Sequence, residues 1–326
     1  MNRFLLVVIS SAVLNACAGH KESPPSFDMA EYRQLMERQK GEQGQLGEAE
    51  QPATEMTAEE HEKTGDVEAQ RRNLPLAGLH YSKALKADPS RNNARYKLGQ
   101  VFLQQGLVEP ALMQFQDLRA RDARSAAAYQ GIGQALLMQG KTREAEQALE
   151  KAVELDQSVW LSHNLLGLAY DQDQRYADAI KSYESALRLR PRDPSILNNL
   201  GLAYALMGDH EAAIHAFEQA VASGSVSPKV HNNLGVAYAH RERYAEAFES
   251  FKRGGDEPRA YNNLGVALLG MGKPKQAAAC FEKAIEANPK FYEKASENLR
   301  HARQAIDSAP TDHGGGKEPA GPPSCL

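Results

Sequence analysis

Asn198-Asn199-Leu200-Gly201 is a four-residue stretch that returns at 232–235 and again at 262–265. The glycines of the first two copies are 34 residues apart, and the third glycine follows after 30. Stepping back by 34 from the first copy meets another glycine each time. The complete series is Gly65, Gly99, Gly133, Gly167, Gly201, Gly235 and Gly265. The phase of these glycines predicts seven copies of one structural unit.

Two further positions keep this phase. An alanine stands twelve residues after every glycine, and a large apolar residue stands sixteen after it. The alanines are Ala77, Ala111, Ala145, Ala179, Ala213, Ala247 and Ala277; the apolar residues are Tyr81, Phe115, Leu149, Tyr183, Phe217, Phe251 and Phe281. Small residues at two positions predict two helices that cross closely, with the large side chain filling the space against the next unit. One helix pair cannot bury its apolar face alone, so we expect stacked units with a shared core.

A 34-residue period of Leu-Gly, Ala and then Phe or Tyr, with a helix-ending proline such as Pro191, resembles the tetratricopeptide repeat. The resemblance implies an all-α fold, a right-handed superhelical solenoid of helix-turn-helix units with a concave groove. We expect seven repeats over residues 58–291 and a capping helix over 292–308. Repeat six lacks four residues and carries Gly254-Gly255 in its second helix, which we therefore expect to be short.

The N-terminal segment reads as an export signal. Met1-Asn2-Arg3 precedes an apolar run from Phe4 to Val13, which is well under the roughly 20 residues that span a bilayer. This pattern predicts a cleaved signal peptide over residues 1–16. Leu14-Asn15-Ala16-Cys17 resembles a bacterial lipobox, which implies that Cys17 is acylated, and Ala18 in place of an aspartate implies sorting to the outer membrane. An ordinary signal peptide with an incidental cysteine is the alternative.

Two segments have the composition of disordered chain. Residues 17–57 are rich in Gly, Glu, Gln, Pro and Ser, and residues 309–326 are rich in Gly and Pro. We expect a lipidated linker in the first and a disordered tail in the second. Since Cys325 falls in that tail and Cys280 on a helix, we expect no disulfide between them.

Composition and motifs argue against catalysis and nucleic-acid binding. The net charge is −4 and the isoelectric point is about 6.2, so the chain lacks a basic footprint for nucleic acid. The ten histidines are scattered, and His210 and His215 miss the spacing of a helical metal pair. His163 and His231 occupy equivalent helix positions, where a surface location is favoured over a role in a groove. We expect no catalytic residues, no metal, no cofactor and no enzyme activity.

The repeated asparagines are the candidate binding residues. Asn199, Asn233 and Asn263 stand two residues before their glycines, where helix propensity does not select asparagine. A row of carboxamides matches the donors and acceptors of an extended peptide. The alternative is that these asparagines form hydrogen bonds within the array. For the asparagine that directly precedes each of them, peptide binding and bonding within the array both stay open. The other candidate groove residues are Asn198, Asn232 and Asn262, together with Leu202, Val236 and Val266, which offer apolar pockets and stand where a carboxylate clamp would need asparagine.

The whole layout, and in particular Phe251-Lys252-Arg253-Gly254-Gly255 running into Tyr261-Asn262-Asn263-Leu264-Gly265, resembles the lipoprotein of the tight-adherence (Flp-type) pilus assembly system. The resemblance implies a lipid-anchored, periplasm-facing scaffold at the outer membrane that helps a secretin or pilus assemble. Its partner would be a protein or peptide segment of that machinery, and its only membrane contact the N-terminal lipid. A pilotin of another type IV pilus or secretion system, and an adaptor for peptidoglycan enzymes, are the alternatives. The oligomeric state stays open.

Overall fold

A computed structural model describes residues 56–225, 227–288, 292–308 and 324–325. This part of the chain contains helices and no strands, as the repeat pattern predicts. The helices are α1 Ala58–Gln70, α2 Leu74–Ala87, α3 Asn92–Gln104, α4 Val108–Arg121, α5 Ala126–Met138, α6 Thr142–Leu155, α7 Trp160–Gln172, α8 Tyr176–Leu189, α9 Pro194–Met207, α10 His210–Ala222, α11 Pro228–His240, α12 Tyr244–Arg253, α13 Glu257–Gly270, α14 Pro274–Ala287 and α15 Tyr292–Asp307. The predicted signal peptide, Cys17 and residues 17–55 of the linker predicted over 17–57 lie outside the described residues.

Each repeat is a helical hairpin whose first helix, helix A, carries the glycine and whose second, helix B, carries the alanine and the large apolar residue. All seven alanines are fully buried at 0% exposure, and the seven large side chains are at most 2% exposed. The glycines are needed because a Cβ at Gly235, for example, would lie 2.7 Å from the ring of Phe251 in the same repeat. The expectation that the large side chain faces the next repeat is thus incomplete: Phe115 faces both Gly99 of its own repeat and Gly131 of the next.

The turn between helices A and B has one conformation throughout the array. The residue seven positions after each helix A glycine has a positive φ, as in Gly208 at 91° and Glu242 at 58°. Four of these seven residues are glycines, for which a left-handed backbone carries no Cβ penalty. A left-handed residue therefore stands at the same place between helices A and B in every hairpin.

Repeat six departs from this plan as predicted. Its helix B, α12, has 10 residues, whereas the other second helices have 13 or 14. The helix ends at Arg253, and a Cβ on the next residue, Gly254, would lie 3.0 Å from the side chain of Asn232 and 3.1 Å from the carbonyl oxygen of Pro228. The early stop therefore lets the backbone after α12 lie against α11.

The described residues form two compact regions, and the boundary falls within α7. The N-terminal region extends to Ala169 and the C-terminal region begins at Tyr170. In the C-terminal region one apolar cluster runs through α9 to α15, and the capping helix α15 contributes Leu299 and Ala302 to it. This helix lies where the capping helix was expected, and it ends at Asp307.

The predicted absence of a disulfide is wrong. Cys280 on α14 and Cys325 are joined by a disulfide bond with 4.8 Å between their Cα atoms. Cys280 is 0% and Cys325 2% exposed, so the end of the predicted disordered tail is packed into the apolar cluster of the C-terminal region. The expectation failed because the composition of a segment does not show that one of its residues, here Cys325, contacts a helix.

Candidate functional site

The candidate site is one face of the C-terminal region, formed by helices α9, α11 and α13. On each helix, residues four apart lie on the same side, one turn above another. The three stripes are Asn198-Leu202-Leu206 on α9, Asn232-Val236-His240 on α11 and Asn262-Val266-Gly270 on α13. We call these stripes, together with Asn199, Asn233 and Asn263, the A-helix face.

Asparagine side chains connect the successive A helices of this face. In each connection the donor is the asparagine that stands two residues before the glycine, or the equivalent asparagine of α15. Its amide N–H donates to an asparagine of the preceding A helix, the one that stands three residues before the glycine of that helix. The pairs are Asn233 to Asn198 at 3.0 Å, Asn263 to Asn232 at 3.4 Å and Asn298 on α15 to Asn262 at 2.8 Å. We call these hydrogen bonds the asparagine rungs. In repeats six and seven, the second asparagine of the pair donates to the preceding A helix and the first accepts from the following one.

Burial of the asparagines follows from the rungs. Asn262 is 3% exposed, and its own amide N–H points at the Asn263 carbonyl oxygen at 3.5 Å. Asn198, Asn199, Asn232, Asn233 and Asn263 are half-buried. The hydrogen bonds within the array are therefore present for the rung residues, and a contact with a bound peptide stays a prediction.

The apolar row of the A-helix face is half-buried. Leu202, Val236 and Val266 pack against the apolar cluster with one side while part of each side chain reaches the surface. Leu206, one turn further along α9, is 45% exposed. Large apolar side chains that stay exposed in neighbouring positions are typical of a binding surface.

Equivalent positions in the N-terminal region carry polar groups that bond to one another. The amide N–H of Gln130 donates to the hydroxyl of Tyr96 at 3.0 Å, and the amide N–H of Gln100 donates to Gln134 at 3.2 Å. These residues stand where the C-terminal region has its asparagine and apolar rows. The two regions therefore present different chemistry on their A helices.

A pair of histidines lies at the edge of the A-helix face. The rings of His210 on α10 and His240 on α11 are stacked with centroids 4.2 Å apart and planes at 11°. Burial, followed by the neighbouring His210, lowers the pKa of His240 to about 4. Burial and the nearby Arg241 also lower the pKa of His210. Both rings are thus held neutral at neutral pH.

Tyrosine hydroxyls brace the same helices from the side. Tyr204 on α9 donates to Glu184 at 3.3 Å, and Tyr238 on α11 donates to Glu218 in the equivalent place one repeat later. The guanidinium of Arg243 lies 4.5 Å from the centre of the Tyr238 ring. These contacts orient the A helices and leave their apolar row accessible.

The described residues contain no group of three or more His, Cys, Asp and Glu side chains placed to hold a metal ion. One carboxyl has an unusual environment: burial raises the pKa of Asp171 to about 6 despite the hydrogen bond that it accepts from Tyr183 at 2.6 Å. His231 is 8% exposed, so its predicted surface location is wrong. In the part of the chain that the structure describes, no helix has the length and apolar character to cross a membrane.

Sequence reasoning found the asparagine and apolar rows and missed the connection of α15 to them. Asn298 belongs to no Asn-Asn-Leu-Gly copy, and its role is visible only from its bond to Asn262. The buried residues Ala295, Leu299 and Ala302 repeat Ala260, Leu264 and Ala267 at an interval of 35. This interval was the available signal that α15 continues the series of A helices.

The hairpins, their shared core and their repeated turn define a tetratricopeptide-repeat protein, and the tetratricopeptide repeat family matches residues 258–291. The chain belongs to the family of the cilia and flagella-associated protein 70 C-terminal domain, which matches residues 11–259. Neither description names an enzyme. No curated protein matches the sequence.

Solved structures similar to this chain include other tetratricopeptide-repeat proteins. MamA is 30% identical with a TM-score of 0.42, over 49% of this chain and 93% of MamA. PilF of Pseudomonas aeruginosa is 24% identical with a TM-score of 0.52, over 60% of this chain and 90% of PilF. A tetratricopeptide repeat protein from Parabacteroides merdae is 16% identical with a TM-score of 0.50, over 76% of this chain and 98% of that protein. The last two likenesses concern the fold.

Proposed function

We propose that this protein is a non-catalytic scaffold of the bacterial envelope whose A-helix face binds an extended segment of a partner protein. The observation that carries the proposal is the row of half-buried Leu202, Val236 and Val266 beside the asparagine rungs on consecutive helices. Equivalent side chains on stacked repeats form rows, and rows fit an extended chain better than a compact ligand. The partner's apolar side chains would cover Leu202, Val236 and Val266.

The asparagines contribute to binding in addition to holding the array together. A carboxamide has two N–H groups and two lone pairs, and a rung uses one N–H of its donor and one lone pair of its acceptor. Asn233 and Asn263 therefore retain hydrogen-bonding capacity for a peptide backbone. Asn199 stands at the equivalent position of α9. Fixed rungs also preorganise the face, because the helices need not be ordered when the partner binds.

The proposed location is the outer membrane, with the protein anchored through lipid on Cys17 and facing the periplasm. The lipobox-like Leu14-Asn15-Ala16-Cys17 supports the anchor. The buried disulfide between Cys280 and Cys325 supports an oxidising compartment, since disulfides are uncommon in the cytosol. In this location the scaffold would help a Flp-type pilus or its secretin assemble, as the resemblance to that system implies.

The test combines Asn199→Ala, Asn233→Ala and Asn263→Ala in one variant and measures both thermal stability and affinity for a partner captured from envelopes. Three lost hydrogen bonds at about 0.5–1.5 kcal/mol each are expected to weaken binding about ten- to a thousandfold. Loss of two rungs lowers stability by a similar amount per rung without unfolding the array.

Gln134→Ala is the matched control, because it removes the Gln100–Gln134 hydrogen bond and leaves the A-helix face intact. The control should lose stability and keep affinity. Unchanged binding by the triple variant would remove the asparagines from the site. Capture of a peptidoglycan enzyme, or of a secretin from another pilus or secretion system, would instead favour one of the two alternative functions.

A further inference from the structure

Two histidines face each other between the helices of the first repeat. His61 lies on α1, four residues before the glycine of its repeat, and His80 lies on α2, fifteen residues after that glycine. Their Nδ1 atoms are 3.1 Å apart, and the ring centroids are 5.3 Å apart with the planes at 47°. Both side chains are half-buried, so part of each ring is accessible from the surface.

The hairpin geometry brings these two positions together. In the second repeat they are Arg95 on α3 and Gln114 on α4, and the Nη1 of Arg95 donates to the Oε1 of Gln114 at 3.4 Å. Repeat one is the only repeat whose sequence has an imidazole at both positions. The pairs in the later repeats are Tyr129 and Ala148, His163 and Ser182, Leu197 and Ala216, His231 and Ser250, and Tyr261 and Cys280.

The distance between the two Nδ1 atoms suits a shared metal ion. Imidazole nitrogens lie about 2.0–2.1 Å from zinc, so two of them on one such ion are about 3.3 Å apart in a tetrahedron and about 2.9 Å apart in a square plane. The 3.1 Å between His61 and His80 lies between these values. The stacked rings of His210 and His240 are unsuitable, because their nearly parallel planes at 11° keep in-plane lone pairs from meeting at one ion.

The charges around the pair are mixed. Glu60 places negative charge near His61, and Glu68 does so near His80. Lys83 places positive charge near both rings. Burial is the main reason why the pKa of each histidine lies below its ordinary value, followed by Lys83 for His61 and by His61 for His80. Both imidazoles are thus neutral at neutral pH, which is the form that binds metal ions.

We propose that His61 and His80 bind a divalent transition-metal ion, Cu²⁺ or Zn²⁺, between their Nδ1 atoms. Imidazole is a suitable ligand for both ions, and Cu²⁺ binds a given nitrogen site more tightly than Zn²⁺. Among the described residues no third His, Cys, Asp or Glu completes a metal-binding group with the pair, so water fills the other coordination positions. This site is separate from the A-helix face and does not depend on the function proposed above.

The ion would replace a hydrogen bond between the two rings. Without metal, one Nδ1–H donates to the other Nδ1; with metal, both Nδ1 lone pairs face the ion and each ring carries its proton on Nε2. The ion then links α1 to α2 in the first described repeat. Since the unfolded chain does not hold the two nitrogens together, metal binding should stabilise this hairpin.

The experiment titrates the untagged mature chain with CuCl₂, and separately with ZnCl₂, by isothermal titration calorimetry in a buffer that does not bind metals. Either His61→Gln or His80→Gln should weaken Cu²⁺ binding at least about tenfold, because the second nitrogen of a chelate binds at a high effective concentration. The double variant should lose little more than either single variant, since each change already breaks the chelate. All variants share one N-terminus, so metal bound elsewhere contributes equally to every titration.

Electron paramagnetic resonance of the Cu²⁺ complex counts the nitrogen donors directly. The parent should show coupling to two imidazole nitrogens, and this signal should be absent from both single variants. Circular dichroism should show that the metal-free variants are folded, with melting temperatures slightly below that of the parent because one hydrogen bond is lost. Added Zn²⁺ should raise the melting temperature of the parent and not that of the variants.

The matched control removes two histidines that lie away from the pair. His215→Gln and His301→Gln replace exposed histidines of α10 and α15. This variant should bind Cu²⁺ as the parent does and give the same nitrogen coupling.

Three results would overturn the inference: no saturable binding of Cu²⁺ or Zn²⁺ by the parent, parent-like affinity in His61→Gln or His80→Gln, or an equal loss of affinity in the control variant. A pair that only forms a hydrogen bond would lower the melting temperature of the variants and leave metal binding unchanged. Because affinity for a protein partner is not measured, failure here says nothing against the A-helix face.

Discussion

A glycine in helix A decides how closely the two helices of a repeat approach. Any Cβ at Gly201 or Gly265 would lie 2.6 Å from the ring of Phe217 or Phe281, closer than such contacts can be. Glycine destabilises the helix by about 1 kcal/mol relative to alanine. Burial of a whole phenylalanine ring, worth about 1.5–3 kcal/mol, outweighs this loss.

From the stacked rings of His210 and His240 we predict that the folded array is less stable at acidic pH than at neutral pH. The pKa of His240 is about 4 in the fold against an ordinary value of 6.5. Above pH 6.5 neither state binds the proton; between pH 6.5 and pH 4 the unfolded chain binds it and the folded chain does not. Stability should therefore fall by about 1–3 kcal/mol across this window.

Thermal melts of the parent and of His240→Phe, recorded from pH 7.5 to pH 4, test this dependence. Phenylalanine keeps the stack and cannot be protonated, so its stability curve should be flatter over that range. His215→Phe is the control, because His215 is exposed on the same helix as His210. Parallel curves for the parent and His240→Phe would show that the stack does not exclude the proton.

Among the elements, α15 has the most distinctive role. It continues the rungs through Asn298, and it lies inside the loop that the Cys280–Cys325 disulfide closes. In the register that the rungs define, Arg300 stands where the repeats have glycine. A bulky charged residue there prevents a further helix from packing as helix B does in the repeats. Among the described residues, α15 is the last helix of the array.

The disulfide should contribute measurably to the stability of this end of the array. Its cysteines are 45 residues apart, and closing a loop of that length stabilises a fold by about 4 kcal/mol in the chain-entropy treatment. The variant with Cys280→Ser and Cys325→Ser should lose up to that amount, measured by urea unfolding without reductant. Adding reductant should bring the parent to the level of the variant and leave the variant unchanged. Two reactive thiols at positions 280 and 325 in the parent unfolded without reductant would contradict the bond.

The whole molecule combines a repeat array with segments that the structure does not describe. Two compact regions share one hairpin design and differ on their A helices, where one carries bonded glutamines and the other asparagines with an apolar row. Only the C-terminal region has the A-helix face. We therefore propose partner binding for that region, and membrane attachment for the residues before the array.

Replacing Cys17 with Ser tests the attachment. Lipidation adds about 0.8 kcal/mol of membrane affinity per buried CH₂, so two acyl chains anchor a protein stably and their loss releases it. The Ser variant should be recovered uncleaved or soluble, and the parent with outer membranes. Cys325→Ser, which leaves the N-terminal cysteine intact, should fractionate as the parent does. Co-fractionation of the Cys17→Ser variant with outer membranes would contradict the lipid anchor.

The sequence by itself determined the repeat. The hairpins were predicted from seven glycines, seven alanines and seven large apolar residues in one phase, because each of these residues meets a local steric requirement. The short α12 was predicted from the four residues that repeat six lacks and from Gly254-Gly255. Every repeat has the same steric requirements, so the residues that meet them recur at a fixed spacing in the sequence. The asparagine and apolar rows were readable for the same reason, although the sequence left open what Asn198, Asn232 and Asn262 bind.

Only the tertiary structure decided contacts between residues that share no period. Asn298 on α15 bonds to Asn262 and Cys325 is joined to Cys280, although neither pair keeps the 34-residue period. Loop-closure free energy rises only slowly with the length of the intervening chain, so distance along the sequence does not forbid such contacts. What decided them was packing at the C-terminal end of the described helices, where α15 and Cys325 both lie against α14.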